Sequence, residues 1–207
     1  MAAILNIPPT VAHRPKGLID CAQITDTLMV AGQDRQVAYD QTRALLRAGY
    51  FLPSAREERG KKSFLLTPDY MLTADVLLRL RDFGIRGGEG AKADPMFAAA
   101  LALRGWSGGR PKGAVHSPAA HVIAEYELDV RGWVFELWSF IHGKTGDLRF
   151  EGRIHRVDPK HPDGFHSTPL QYGNHGQYLH RSCIAVDLTD ALDRWHPHGR
   201  ARREAMN

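Results

Sequence analysis

The sequence predicts an α+β fold in two domains, an N-terminal helical module carrying a β-hairpin and a small C-terminal antiparallel β-sheet domain. Three observations predict it. Helical periodicity and capping residues recur over residues 20–86. Alternating and continuous apolar runs dominate residues 114–196. Between them, residues 87–113 hold Gly87, Gly88, Gly90, Gly105, Gly108, Gly109 and Gly113 around one short Ala-rich helix, the composition of a linker.

Residues 1–19 contain Pro8, Pro9 and Pro15 and read as an irregular arm. A first helix is expected from Cys21 to Val30, with Ile24, Leu28 and Met29 inward, and Gly32 ends it. Asp34 is a good N-cap for a second helix that runs to Ala48 and stops at Gly49. Tyr50-Phe51-Leu52 and residues 63–66 are strand-like on either side of a polar loop with Gly60, which reads as a hairpin. Thr67-Pro68 opens a third helix with Leu72, Val76, Leu80 and Phe83 at helical spacing. In the linker, Asp94-Pro95 starts the short helix.

In the second half, Val122, Ala124, Tyr126, Leu128 and Val130 alternate as in a half-buried strand. Trp133 to Ile141 makes a second strand, Leu148 to Ile154 a third, and Cys183 to Leu188 a last one. Residues 158–180 are rich in His, Pro and Gly and are expected to form a long loop. Thr189 is expected to cap a helix ending at Trp195, and the basic tail, residues 197–207, to be frayed.

Charge is distributed unevenly. Up to Arg110 there are 15 Lys and Arg against 11 Asp and Glu, and from Pro111 onward 12 against 12, so the whole net charge of +4 sits in the first half. That pattern suits a polyanion-binding head beside a domain with another role. No apolar run approaches the roughly 20 residues of a membrane span, and Met1 to Thr10 lacks the form of a secretory leader. Cys21 and Cys183 form no CxxC pair. A cytoplasmic chain with reduced thiols and no membrane contact is the expectation.

The second helix is the strongest functional signal. Gln36, Asp40, Arg43 and Arg47 share one polar face, flanked by Arg35 and Tyr39, opposite Ala38, Thr42 and Leu45. Arginine can pair bidentately with guanine and glutamine with adenine, and Arg and Tyr can also hold phosphates. The hairpin loop adds Arg56, Arg59, Lys61 and Lys62, offset by Glu57 and Glu58. Double-stranded DNA is therefore the expected partner, and the nine residues Arg35, Gln36, Tyr39, Arg43, Arg47, Arg56, Arg59, Lys61 and Lys62 its contacts.

The run Arg43-Ala44-Leu45-Leu46-Arg47-Ala48-Gly49-Tyr50-Phe51-Leu52-Pro53-Ser54-Ala55-Arg56, followed by Thr67-Pro68-Asp69 and Leu80-Arg81-Asp82-Phe83-Gly84-Ile85, resembles the recognition helix, wing and third helix of MerR-type winged helix-turn-helix regulators. The match spans about 45 residues of the N-terminal part. The resemblance implies a winged helix in which Arg43 falls at a DNA-contacting arginine and Arg56 in the wing. Ala44-Leu45 replaces the family's aromatic pair, and a glycine-rich joint stands where the family's long dimerisation helix would follow.

Other groupings point elsewhere with less force. His155, His161, His166, His175 and His180 fall within 26 residues but match no metal-site spacing. Cys183 near His180 suggests a nucleophile, although a thiol opening an apolar strand is more commonly buried and structural. Glu125, Glu127 and Asp129 would share the wet face of a strand. Trp133, Phe135, Trp138, Phe140 and Trp195 read as sheet core, or as an interface if Trp138 or Phe140 is exposed. The glycine-rich stretches lack the P-loop lysine. The expected protein is a transcriptional regulator rather than an enzyme, needing neither cofactor nor metal, whose C-terminal domain serves self-association or partner binding. The alternatives are a phage-type replication or excision factor, or a metal-binding protein or enzyme built on the His-rich domain.

Overall fold

A computed structural model describes residues 8–58, 62–88, 93–105, 117–157 and 178–206. Among the described residues the fold is mixed α+β, with seven helices and two three-stranded sheets. The chain divides into two compact units, residues 1–74 and 75–207. The division falls upstream of the glycine-rich segment, within the helix at Tyr70–Asp82.

In the first unit, β1 (Thr10–Val11) precedes α1 (Cys21–Leu28), α2 (Arg35–Arg47), β2 (Ala55–Glu57), β3 (Phe64–Leu65) and the start of α3 (Tyr70–Asp82). Asp20 caps α1 in a reciprocal box with Gln23: the Gln23 N–H donates to Asp20 Oδ1 at 2.9 Å, and the Asp20 N–H to Gln23 Oε1 at 3.1 Å. Asp34 caps α2 by accepting from the Val37 N–H at 2.9 Å. Gly49, at φ +79°, turns the chain off α2, with the Tyr50 N–H on the Leu45 carbonyl and the Gly49 N–H on the Leu46 carbonyl. That paired closure needs a left-handed residue, which glycine supplies without strain.

The buried face of α2 is Ala38, Thr42 and Leu45, set against Ile24 and Thr25 of α1, with the Thr25 and Thr42 hydroxyls 3.2 Å apart. Tyr50 and Phe51 are not a strand. They follow the glycine turn into the core, where Phe51 meets the Tyr70 ring at 5.3 Å. Pairing falls instead on the segment read as loop: Ala55 and Arg56 lie opposite Leu65 and Phe64. The arm is not irregular throughout either, because β1 pairs in parallel with β2, Thr10 beside Arg56. Thr67-Pro68-Asp69 forms a turn before α3 rather than its first residues. Leu72, Val76 and Leu80 of α3 are buried, whereas Phe83, past its end, is 66% exposed.

The second unit continues with α4 (Pro95–Arg104), α5 (Pro118–Glu127), β4 (Trp133–His142), β5 (Leu148–Arg156), β6 (Tyr178–Asp187), α6 (Leu188–Trp195) and α7 (Pro197–Met206). β4 is the central strand of an antiparallel β5-β4-β6 sheet. Phe135, Leu137 and Val186 are buried on one face, where Gly152 lets α4 approach closely. Phe140 is buried, Trp138 is half-buried with its ring tilted against that of His180 at 4.5 Å, and Trp195 sits on α6, not in the sheet.

Four expectations fail here for physical reasons. Residues 118–127 are helix, not strand: Ser117 caps and Pro118 takes the first position, and Val122 and Tyr126, four apart, satisfy a helical period as well as an alternating one. Glu125, Glu127 and Asp129 consequently do not line a strand face, and Asp129 adopts φ +64° beyond the helix. The last strand begins at Tyr178, inside the segment read as loop, and its edge position leaves Cys183 exposed rather than buried. Asp187, not Thr189, caps α6, while Thr189 Oγ1 accepts from the Gly132 N–H at 3.1 Å. Residues 197–206 are helical: Arg202 binds Asp193 at 2.9 Å and the Tyr126 hydroxyl at 2.8 Å, and Arg203 binds the Asp193 carbonyl. β6 also carries a bulge at Arg181, between the pairs Ser139–Ser182 and Phe140–His180. A bulge with a charge on an edge strand discourages edge-to-edge pairing.

A buried histidine ties stability of this unit to pH. His196 lies 3.3 Å from Glu127 and packs on the rings of Tyr126, Trp195 and His198. Burial, against the pull of Glu127 and with the help of His198 and Arg131, lowers its pKa below the ordinary imidazole value of 6.5. The unfolded chain then takes up the proton more readily than the folded one, so the contribution is complete above about pH 6.5 and declines as pH falls. The melting temperature of the second unit is expected to drop on acidification from pH 7.5 to 5.5. Scanning calorimetry should show a shallower drop for His196→Gln, and equal slopes would refute the assignment.

Candidate nucleic-acid interface

The first unit holds a cleft of about 700 Å³ between α2, the N-terminal end of α1 and the β2–β3 hairpin. It gathers six of the nine predicted contact residues: Arg35, Gln36, Tyr39 and Arg43 from α2, with Arg56 and Lys62 from the hairpin. Arg47 is exposed on α2 outside the cleft, and Arg59 and Lys61 lie outside the described residues. The remaining walls come from Asp20, Cys21, Ala22, Leu46, Ser63 and Phe64. Four cationic side chains thus face one carboxylate.

Local structure aims these groups. Arg35, Tyr39 and Arg43 recur every four residues along α2, so they form a strip beside the buried face. The Arg43 guanidinium lies over the Tyr39 ring, 5.6 Å from its centre, and that of Arg56 lies over the Phe64 ring at 5.3 Å, so each rests against an aromatic face. Arg43 has no ion pair among the described residues. Arg35, by contrast, forms a two-point bridge to Asp26 at 2.7 and 3.0 Å, which lowers the Asp26 pKa. The Gln36 amide donates to Asp40 Oδ2 at 3.0 Å. Cys21, buried beside Arg43, has its thiol pushed up to about 11 by burial, so it lines the cleft as the neutral thiol.

One organising residue escaped the sequence reading. Arg14 joins three elements, bonding to Glu57 of β2 at 2.9 Å, to Gln23 of α1 at 2.8 Å and to Asp20. Burial pushes Asp20 up, but the Gln23 N–H and Arg14 outweigh it and hold its carboxyl below the usual range. Arg14 therefore fixes the hairpin against α1 and offsets two carboxylates beside a cationic cleft. No local pattern marks it, since its partners lie 6 to 43 residues away. Arg14→Ala is expected to lower the stability of the first unit by about 1–2 kcal/mol in urea unfolding. Arg14→Lys should recover only part, because an ammonium lacks the planar fork that reaches all three acceptors. Full recovery by lysine would contradict this role.

Among the described residues no three His, Cys, Asp or Glu side chains are placed to share a metal ion. His155 sits 3.7 Å from Glu136, and His161, His166 and His175 lie outside the described residues. No described helix is long and apolar enough to cross a membrane. No protein-family model matches the chain, and neither a curated protein nor a solved structure matches it. What the fold defines is thus a mixed α+β protein whose first unit carries a cationic, aromatic-walled cleft along one helix.

Proposed function

We propose that the chain binds double-stranded DNA through its first unit, used as a MerR-like winged helix-turn-helix, and regulates transcription in the cytoplasm by occupying an operator or promoter. In this reading α1 and α2 are the helix pair, α2 is the recognition helix and the β2–β3 hairpin is the wing. The observation that carries it is the convergence of α2 and the hairpin on one cleft, which brings together six contact residues chosen from sequence alone. Helix-turn-helix domains present the N-terminal part of the second helix to base edges and hold the backbone with flanking cations. The N-terminal part of α2 exposes Arg35 and Gln36, and Arg43, Arg56 and Lys62 flank it. Action is by occupancy rather than chemistry, and the second unit serves self-association or a protein partner.

The test is selection of the full chain on randomised duplexes, followed by binding measured across salt concentration. A defined consensus should emerge. Three cation–phosphate contacts, by Arg43, Arg56 and Lys62, should give a slope of log K against log salt of about −3. Absence of any enriched duplex, or an affinity indifferent to salt, would overturn the reading.

A further inference from the structure

The exposed surface of α2 divides into three strips by helical geometry. Arg35, Tyr39 and Arg43 face the cleft. Gln36, at the rim of the cleft, lies along the crest with Asp40 and Arg47. Val37 and Ala44, seven residues apart, occupy the flank turned away from the cleft with the half-buried Gln41 beside them, and both are exposed, Val37 at 52%. The turn that leads into α2 exposes Met29 and Val30 as well.

A valine at the third position of a helix, half exposed to solvent, adds little to the core. Its backbone N–H meets Asp34, which any residue but proline would allow, and its β-branch is slightly unfavourable for helix. A lysine or glutamate would serve a wet flank better. A duplex suits this flank. If the cationic flank grips one phosphate backbone, the crest enters the major groove and the opposite flank lies against bases beyond it. The thymine C5-methyl is the apolar group displayed there.

We propose that the Val37–Ala44 flank of α2 packs on thymine C5-methyl groups, so that the bound duplex carries A·T pairs beneath the N-terminal half of the helix. The proposal rests on the DNA-binding reading above. Gln36 agrees with it: Asp40 takes one amide hydrogen, leaving Oε1 to accept from an adenine amino group. The cationic strip sets which way the helix lies in the groove, and the apolar strip sets which bases it accepts.

The test replaces thymine by deoxyuridine in the duplex that the full chain selects, which removes the methyl and nothing else. Each methyl lost from contact should weaken the wild type about four-fold. Val37→Ala should bind the thymine duplex about four-fold more weakly and should hold thymine and uracil duplexes about equally. It should remain folded, because the side chain is exposed and alanine favours helix; circular dichroism checks this. A wild type indifferent to uracil, or discrimination unchanged in Val37→Ala, overturns this inference and leaves DNA binding standing. Failure to select any duplex overturns both.

Discussion

Replacing Arg43 by alanine is expected to weaken binding of the selected duplex about ten- to hundred-fold while leaving the melting temperature within about one degree of wild type. Arg43 sits at the C-terminal end of the cleft-facing strip, half-buried and steadied over the Tyr39 ring. Among the described residues it has no carboxylate partner to break before it meets an acceptor. A bidentate arginine contact carries about 1–3 kcal/mol of discrimination, and a preordered guanidinium loses little side-chain entropy on binding. Arg35 should matter less, because its two-point bridge to Asp26 must first be exchanged for the new partner. Arg43→Lys separates charge from shape: if lysine restores full affinity, Arg43 holds phosphate as a point charge, whereas persistent loss with relaxed base preference indicates base contact. Anisotropy titrations on consensus and scrambled duplexes make the distinction. An Arg43→Ala protein that binds like wild type would remove the centre of the proposed interface.

Gly152→Val is expected to disrupt the second unit, costing about 3 kcal/mol and lowering its melting temperature by roughly 6–12 °C. A Cβ at this position would stand 2.8 Å from the Ala98 carbonyl oxygen and 2.8 Å from Ala102 Cβ. Both distances are below contact, and the carbonyl is backbone, so α4 itself must move off β5. The alanines of α4 are what allow the close approach, with Ala99 and Ala100 buried alongside. Interiors packed at crystal-like density accept such a shift poorly. Leu101→Ala on the same helix is the control: Leu101 is half exposed, so its loss should stay within about 0.5 kcal/mol. Calorimetry in which Gly152→Val melts with wild type would show that α4 does not depend on that contact.

Much of the helical structure was legible because its signals are local. Asp20, Asp34 and Asp94 stand before helices, and the apolar spacing of Ala38, Thr42 and Leu45 marks a buried stripe. A cap and a stripe need only a turn or two of chain to be read. The polar face of α2 follows from the same periodicity, which is why its residues could be named in advance. The hairpin was misplaced by a few residues because Tyr50 and Phe51 are as good for a core as for a strand, and only the glycine turn and the ring of Tyr70 send them inward. The segment at Val122 and Tyr126 failed for a different reason: residues four apart satisfy both periods, and the decisive cap at Ser117 lies before the pattern begins.

By itself the sequence determined a mixed α+β chain, the helical stretch from Arg35 to Arg47 with its outward polar side, and the three long strands around Phe135, Phe150 and Val186. Only the tertiary structure decided that Arg35, Arg43, Arg56 and Lys62 share one cleft, that Arg14 clasps Glu57 across 43 residues, and that α4 lies close enough to Gly152 to exclude a side chain. The physical reason is distance along the chain. Dihedral preference, capping and amphipathic period act between neighbours, whereas convergence of charge and tightness of packing depend on where remote segments meet once the core has closed.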